Sequence, residues 1–453
     1  MSPPTGDTLT LSRPQTTEIP AADSRPAPPP WKDTFSSLRM RNYRLFVLSQ
    51  LIANTGLWMQ RVAQDWLVLQ LTGSAAAVGL TVALQFTPML LFGLFGGVIA
   101  DRYPKRNLLI ITQTTAALLA FTLAALTLTG SIHVWHVYGV AVLLGFVTVV
   151  DNPARQVFVN EMVGPEHLRN AISVNSSIFQ LGGLLGPALS GLLIHAVGEG
   201  WSFGINSAAC ALVVTTLCMM RPAELFASPV AERAKGQLRD GLRYVKSQPN
   251  ILWTVILVGF VAVFGMNMPV LLSSFSTKVF HVGAGGYGLF NSLVALGALG
   301  GALASTRRTG VRLRSLVIAA TVFGVVQAIG GLAPSRLEYS VVLIAVGAAT
   351  LVFLTGANSL VQMTASLDIR GRVMSLYMLV LLGGQAIGGV LMGRITQEYG
   401  PRVATVISGS VPAVATVIIA VLLARAGHLT LRINWERGAP GGHIRVVPRH
   451  AEG

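Results

Sequence analysis

The sequence predicts an all-α membrane protein of twelve transmembrane helices, arranged as two pseudo-symmetric halves of six. Three observations support this prediction: the composition, twelve apolar stretches, and an internal repeat. Of the 453 residues, 52% are hydrophobic and 11% are charged, whereas a soluble chain carries about 25% charged residues. So few charges cannot cover a water-facing surface, which argues against a soluble enzyme. The two cysteines exclude a disulfide framework.

Apolar stretches recur along the chain at the length that a membrane helix needs. A bilayer core of about 30 Å requires about 20 apolar residues per helix. Short polar turns separate the stretches, and prolines within several of them are tolerated in membrane helices. The stretches lie at 43–71, 75–99, 108–129, 136–153, 170–195, 201–220, 251–272, 286–306, 315–333, 339–363, 374–396 and 403–424.

Polar and proline-rich segments divide the chain around these stretches. The first 30 residues hold eight prolines and no apolar core of a signal peptide, so we expect a disordered tail there. The only long polar interruption separates six stretches from six. The expected segments are a cytoplasmic tail at 1–38, an amino-terminal six-helix half at 39–220, a cytoplasmic linker at 221–250, a carboxy-terminal six-helix half at 251–425 and a cytoplasmic tail at 426–453.

The positions of Lys and Arg predict the orientation in the membrane. If the amino terminus is cytoplasmic, 28 of the 33 basic residues fall on the inner side. The formal net charge of +15 therefore reports topology, and the scatter of the bases among apolar stretches argues against a nucleic-acid partner. The sequence predicts a multi-pass protein of the plasma membrane with both termini in the cytoplasm. The five outer bases are Arg61, Lys278, Arg336, Arg394 and Arg402.

Two glycine patterns relate the halves. The first pattern lies at the end of the second stretch of each half, and its two copies are 204 residues apart. The second pattern lies in the fifth stretch of each half, and its two copies are 202 residues apart. Such repeats are common in transporters, where the substrate path runs between the repeats. The residues are Gly93, Gly96, Gly97 and Ala100, which recur as Gly297, Gly300, Gly301 and Ala304, and Gly182, Gly186 and Gly191, which recur as Gly384, Gly388 and Gly393.

The turn after the second stretch carries the strongest local motif. Residues 97–106 read GVIADRYPKR. This resembles the signature loop of the major facilitator superfamily, with proline in place of the second glycine. The resemblance implies the major facilitator fold and a gate on the inner side, in which Asp101 and Arg102 latch the halves together, with Gly97 and Arg106 in the same loop. The residues alone also allow a simpler role as charges that set topology.

A second motif, DNPARQ at 151–156, ends the fourth stretch. Two segments of the first stretch, Gly56–Met59 and Trp66–Ser74, and the RGRVMS sequence at 370–375 accompany it. Together these segments resemble the branch of the superfamily that contains the enterobactin exporter and macrolide-efflux proteins. Arg155 is a candidate member of the inner gate. It has two possible partners that the sequence does not separate: Asp101 across the inner face, or Asp151, four residues earlier on the same helix.

The fifth stretch contains Gly182, Gly186, Pro187 and Gly191. This pattern resembles the Gly-Pro motif of superfamily exporters, and the resemblance implies a helix that shapes the central cavity and a transport direction out of the cell. On physical grounds, the same small residues could simply form a close helix contact, with a bend at the proline.

Charged residues inside the first stretch are the candidate site for proton coupling. Asn54, Trp58, Arg61 and Asp65 follow the spacing of one helical stripe. An ionisable residue within a membrane helix is costly unless it is paired or hydrated, so it is a candidate functional residue. Asp65 with Arg61 could form a proton site, or the two could form a static ion pair near the outer interface.

Together these observations predict a proton-coupled exporter of a small amphipathic molecule, such as a drug, an antibiotic or a siderophore, that works by alternating access. The alternatives are an importer or facilitator of the same fold, and a membrane sensor that transports nothing. No Walker loop is present, so we expect no enzyme activity and no cofactor, with energy from the proton-motive force. We expect no metal site. The expected partners are a small-molecule substrate, protons and the lipid bilayer, for a monomeric protein.

Overall fold

The protein is a bundle of long helices. A computed structural model describes residues 36–226, 237–306, 312–366, 369–426, 429–433 and 444–448. Most of the predicted tail at 1–38 and the centre of the predicted linker at 221–250 lie outside this range. The helices are α1 (Arg41–Thr72), α2 (Ala75–Arg102), α3 (Lys105–Leu128), α4 (Val134–Val197), α5 (Gly200–Met219), α6 (Gln237–Ser247), α7 (Pro249–Phe260), α8 (Met268–Ser274), α9 (Gly283–Thr306), α10 (Leu313–Leu332), α11 (Arg336–Thr364) and α12 (Arg370–Ala426).

Two helices are long enough to cross a bilayer twice. α4 has 64 residues and bends at Gly164, and α12 has 57 residues and bends at Gly400. The φ angles of these glycines are 67° and 84°, a left-handed region that glycine adopts without steric cost. Each bend therefore separates two helical segments, which correspond to neighbouring apolar stretches of the sequence.

The predicted all-α membrane architecture is confirmed. Ten helical segments in the described ranges are long and apolar enough to span a membrane. The count differs from twelve for two reasons. α1 carries polar side chains along its length, and Arg370–Leu422 counts as one continuous segment of 53 residues despite its bend. The segment boundaries expected from the sequence stay predictions.

A short hairpin follows α12, within the predicted tail at 426–453. β1 (Leu429–Ile433) and β2 (Ile444–Pro448) pair antiparallel, with Leu429 opposite Pro448. The sequence analysis did not anticipate these strands. The signal was present, because apolar and polar residues alternate through the sequence LTLRI, and a period of two is typical of a strand.

Of the two glycine patterns, the one in the fifth stretch corresponds to equivalent helix contacts in the two halves. The other does not, since a Cβ on Gly96 would overlap the carbonyl oxygen of Val149, whereas one on its repeat Gly300 meets no atom within 4 Å. Gly186 of α4 packs against the backbone of α1 at Thr55, and its repeat Gly388 packs against the backbone at Val263, between α7 and α8. Gly191 of α4 contacts Gly288 of α9, and its repeat contacts Gly79 of α2. The second pair of contacts joins helices of opposite halves, so the pseudo-symmetry extends to the interface between them.

The apolar core is shared between the halves at only one end of the bundle. We call the end where α1 begins proximal and the end where α1 finishes distal. The distal cluster includes Trp66 and Phe203 from the amino-terminal half and Phe275, Tyr287 and Tyr339 from the carboxy-terminal half. Among the described residues, the clusters around Phe46 and Phe353 each contain residues of one half only. The halves are therefore closed together distally.

We expect Gly297→Ala to destabilise the protein and Gly300→Ala to leave it unchanged. A Cβ on Gly297 would overlap the carbonyl oxygen of Ile344 in α11, whereas one on Gly300 meets no atom within 4 Å. Overpacking of a rigid contact costs about 1–3 kcal/mol. The thermal unfolding midpoint in detergent measures the difference. Equal midpoints for the two variants would contradict the close contact of α9 with α11.

Candidate functional site

A cavity of about 410 Å³ lies mainly among the helices of the amino-terminal half, within the size range of small-molecule sites. α1, α2, α3, α4 and α5 supply its wall, and Leu382 of α12 closes one side. Its apolar surface includes Phe86, Met89, Leu144, Val147 and Phe179. Its carboxamide side chains are Gln50, Asn54, Gln60, Gln64, Gln85, Gln113, Asn152, Gln156, Asn175 and Asn206.

Carboxamides give this wall both donors and acceptors without net charge. Each Asn or Gln side chain offers two N–H donors and a carbonyl oxygen. Some are used within the protein, as where Asn206 Nδ2 donates to Gln60 Oε1 over 2.6 Å. With aromatic and aliphatic side chains beside them, the cavity can accept a molecule that has polar groups on an apolar body.

The DNPARQ motif forms a saturated ion pair in the cavity wall. Arg155 Nη2 lies 2.6 Å from Asp151 Oδ2, and Nε donates to the same oxygen over 2.9 Å. The hydroxyl of Thr112 and the amide of Gln113 each donate to the other carboxylate oxygen over 2.8 Å. A further donor of Arg155 reaches Gln50. Of the two partners that the sequence allowed, the structure places Arg155 on Asp151.

Arg61 also lies in the cavity wall but has no such partner. Its guanidinium carbon lies 5.0 Å from the ring centroid of Trp58, one turn earlier on α1. No described carboxylate oxygen lies within 4.0 Å of Arg61, and its buried Nε makes no hydrogen bond to the described residues. The expected ion pair with Asp65 is therefore replaced by stacking on an aromatic ring.

Asp65 instead joins the two halves at the distal end. Its carboxylate is buried and accepts a hydrogen bond of 3.1 Å from the hydroxyl of Tyr287 in α9. The neighbouring Trp66 stacks on the ring of Tyr287, with centroids 6.0 Å apart and planes inclined by 23°. α1 thus contributes Arg61 to the cavity and Asp65 to the closure above it.

The signature loop contacts other parts of the amino-terminal half. Lys105 pairs with Glu161 of α4 at 3.7 Å. Arg106 donates to the carbonyl oxygens of residues 217 and 218, at the end of α5, where a cation is favourable for the helix dipole. Arg102 is exposed, and Gly97 has open space beside it. The side chain of Asp101 lies outside the described part, so its role in a gate stays a prediction.

The glycines of the Gly-Pro motif lie at helix contacts. A Cβ on Gly182 would lie 2.9 Å from Asn54 Cβ, and Gly186 packs on Thr55 and Trp58 of α1. Neither glycine is in the wall of the described cavity. Pro187 and Gly191 meet Gly288 across the interface between the halves. The glycines allow α1 to approach α4 closely, and a role of the motif in shaping the cavity stays a prediction.

A sequence profile described as transmembrane secretion effector matches residues 32–431. The chain belongs to this family of the major facilitator superfamily. Curated relatives include the enterobactin exporter of Citrobacter koseri, 27% identical over 390 residues that cover 84% of this chain and 90% of the relative. The enterobactin exporter of Shigella flexneri is 26% identical over 389 residues, with the same coverage.

Solved structures of transporters share the fold of this secretion effector family member. The nucleoside transporter NupG superimposes with a TM-score of 0.68 at 12% identity, over 85% of this chain and 99% of that chain. The D-xylose-proton symporter superimposes with a TM-score of 0.63 at 12% identity, over 83% and 96%. The predicted membership of the superfamily is confirmed, and with it a multi-pass transporter that acts on a small molecule in a lipid bilayer.

Tyr287 is one of the site residues of this family member that were not predicted from the sequence, as are Phe86 and Phe179 of the cavity wall. Tyr287 follows the glycine-rich segment Gly283–Gly286 at the start of α9. A tyrosine beside glycines at the start of a membrane helix gave a usable signal, since small residues mark close contacts and a tyrosine hydroxyl inside a bundle needs a partner. That partner, Asp65, lies in the other half of the molecule, so residue spacing along the chain could not identify it.

We expect Arg155→Gln to destabilise the protein by about 3 kcal/mol, because it leaves the buried Asp151 carboxylate without its cation. The double variant Asp151→Asn with Arg155→Gln should recover most of this loss, since no uncompensated charge remains. Thermal unfolding of the two single variants and the double variant gives the coupling free energy. Additive losses would show that the pair is not coupled.

Proposed function

We propose that this family member is a proton-coupled exporter of a small amphipathic molecule, such as a drug, an antibiotic or a siderophore, in the plasma membrane. The observation that carries the proposal is the asymmetric closure of the bundle. The halves share a core at the distal end, while each keeps its own core at the proximal end. The enterobactin exporters among the relatives support export of a small molecule.

The orientation supports loading from the cytoplasm. Basic residues concentrate in the loops of the proximal end, which by the positive-inside rule is the cytoplasmic end. The cavity then lies below a closed outer end, in the state in which an exporter takes up its substrate. Release requires the reverse arrangement, with the proximal end closed and the distal end open.

Opening of the distal end must break a small set of contacts between the halves. These include the hydrogen bonds from Tyr287 to Asp65 and from the Ala75 N–H to Gln397 Oε1, and the stack of Tyr287 on Trp66 within the shared apolar core. They also include the glycine contacts of α4 with α9 and of α2 with α12. Smooth glycine surfaces can separate and meet again without repacking long side chains. The closure is thus suited to repeated opening.

Asp65 is the proposed proton site. Asp65 and Asp151 are the buried carboxylates of the described residues, and Asp151 is neutralised by Arg155. In the outward-open state, Asp65 can take a proton from outside and become a neutral carboxylic acid. On distal closure, Tyr287 donates to Asp65 and favours its carboxylate form, and the proton leaves toward the inner cavity, which the neighbouring Gln64 lines. One charge that moves inward across 100 mV is worth about 2.3 kcal/mol, which supports about 50-fold accumulation. No cofactor is needed, and one chain contains both halves, which fits a monomer.

Transport in inverted membrane vesicles tests this proposal, with enterobactin as the probe. We expect wild-type vesicles with an acidic lumen to accumulate enterobactin. Asp65→Asn should lower gradient-driven accumulation at least about tenfold, because the proton site is lost. The control Glu398→Gln removes an exposed carboxylate of α12 and should transport normally.

Accumulation that survives in Asp65→Asn would rule out Asp65 as the coupling residue. Accumulation only in right-side-out vesicles would indicate an importer. No movement of enterobactin in either orientation would reject a siderophore of this kind as the cargo, and macrolide uptake then tests the drug-efflux alternative.

We expect Tyr287→Phe to shift the protein toward the state that is open at the distal end. The variant removes one hydrogen bond between the halves, worth about 1 kcal/mol, so the open population should rise about fivefold. Spin labels at the exposed positions Ser131 and Arg336, in a chain without Cys210 and Cys218, report the distance between the halves. Tyr339→Phe is the matched control, since Tyr339 stacks on Phe275 within one half. Equal distance distributions in both variants would contradict the proposed closure.

A further inference from the structure

Arg61 is a cation of the cavity wall that forms no direct ion pair among the described residues. No described carboxylate oxygen lies within 4.0 Å of it, and its Nε is buried without a hydrogen-bond partner among the described residues. The Trp58 ring lies 5.0 Å away and holds the guanidinium by a cation–π contact. That contact orients the group but supplies no hydrogen-bond acceptor. The two Nη groups of Arg61, which make no hydrogen bond to the described residues, thus remain available to a bound molecule.

The rest of the wall does not cancel this charge. Arg155 and Asp151 form a saturated pair, and the other polar side chains of the wall are uncharged. Asp65, one turn beyond Arg61 on α1, attracts the guanidinium electrostatically, but it is not part of the wall and its carboxylate accepts from Tyr287. The described wall therefore carries one net positive charge, in an environment where an isolated charge is costly.

Aromatic side chains surround the same region. Phe179 lies in the wall and meets Trp58 edge-on, with ring centroids 5.7 Å apart. Phe86 and Met89 add further apolar surface from α2. A ligand that fits these features has a flat aromatic body next to an anionic group, such as a carboxylate or a phenolate.

We propose that the cavity binds aromatic anions and that Arg61 is the residue that binds the negative charge of the substrate. This inference rests on the proposed export function and deepens it, since it names the class of cargo among amphipathic molecules. Arg61 is then a specificity residue for the substrate, and Asp65 alone carries the proton. Arg61 and Asp65 have separate tasks because they face different parts of the molecule.

Equilibrium binding to the full chain in nanodiscs tests the inference without any proton gradient. The probes are dansylglycine, its neutral isostere dansylglycinamide and the cation dansylethylenediamine, all followed by dansyl fluorescence. We expect wild-type protein to bind dansylglycine about 10- to 100-fold more tightly than the amide, as one charge-assisted hydrogen bond provides. Binding of the cation should be weaker still.

Arg61→Gln should lower the affinity for dansylglycine to that of the amide, while the affinity for the amide stays at the wild-type value and shows that the cavity is intact. Arg61→Lys should keep most of the preference because it keeps the charge. Arg394→Gln is the matched control, since it removes an exposed arginine of α12 that does not line the cavity. It should bind all three probes as the wild type does.

An equal affinity for acid and amide in the wild type, or a preference that persists in Arg61→Gln, would overturn the inference. So would the absence of dansylglycine binding below about 1 mM. An anionic lipid headgroup presents the same chemistry, so the titration is run in phosphatidylcholine and repeated with phosphatidylglycerol. Loss of binding only with phosphatidylglycerol would assign the site to lipid. Because no transport is measured, each of these failures leaves the test of export in vesicles unaffected.

Discussion

A charged or polar group inside a membrane bundle is costly unless it finds a partner, and this constraint organises much of the structure. The backbone meets it through long helices, which bend where a glycine allows the left-handed conformation. Side chains meet it through pairs such as Asp151 with Arg155 and Asp65 with Tyr287. Arg61 is the side chain of the cavity wall whose charge is not matched in this way. Because Arg61 forms no direct ion pair with the described residues, we predict that the cavity binds a negatively charged ligand.

Close helix contacts determine where these polar groups meet. Glycines of α4 allow α1 to approach, which brings the polar stripe of α1 to the cavity on one side and to α9 on the other. The equivalent glycines of α12 form the same contacts in the carboxy-terminal half. Two related halves that meet through smooth surfaces can rock against each other, and the shared distal core identifies the end that has to open.

Much of the site could be predicted from the sequence, because its residues break a strong pattern. Charges and amides stand out in apolar stretches, so Arg61, Asp65, Asp151 and Arg155 were all candidates before the fold was known. Their pairing was less accessible. Spacing of four residues favoured both Asp151 with Arg155 and Asp65 with Arg61. The first pair forms. The second does not form a direct ion pair, because the Asp65 carboxylate accepts a hydrogen bond from Tyr287 of the other half.

The sequence by itself determined that the protein lies in a lipid bilayer, the succession of its membrane helices, its family and the few charged residues within those helices. Those properties depend on composition and on local periodicity, which do not require knowledge of distant neighbours. The tertiary structure decided which charge is neutralised, which is shared between the halves and which is left facing the cavity. These outcomes depend on contacts between residues as far apart in the chain as Asp65 and Tyr287, and only the packed bundle brings them together.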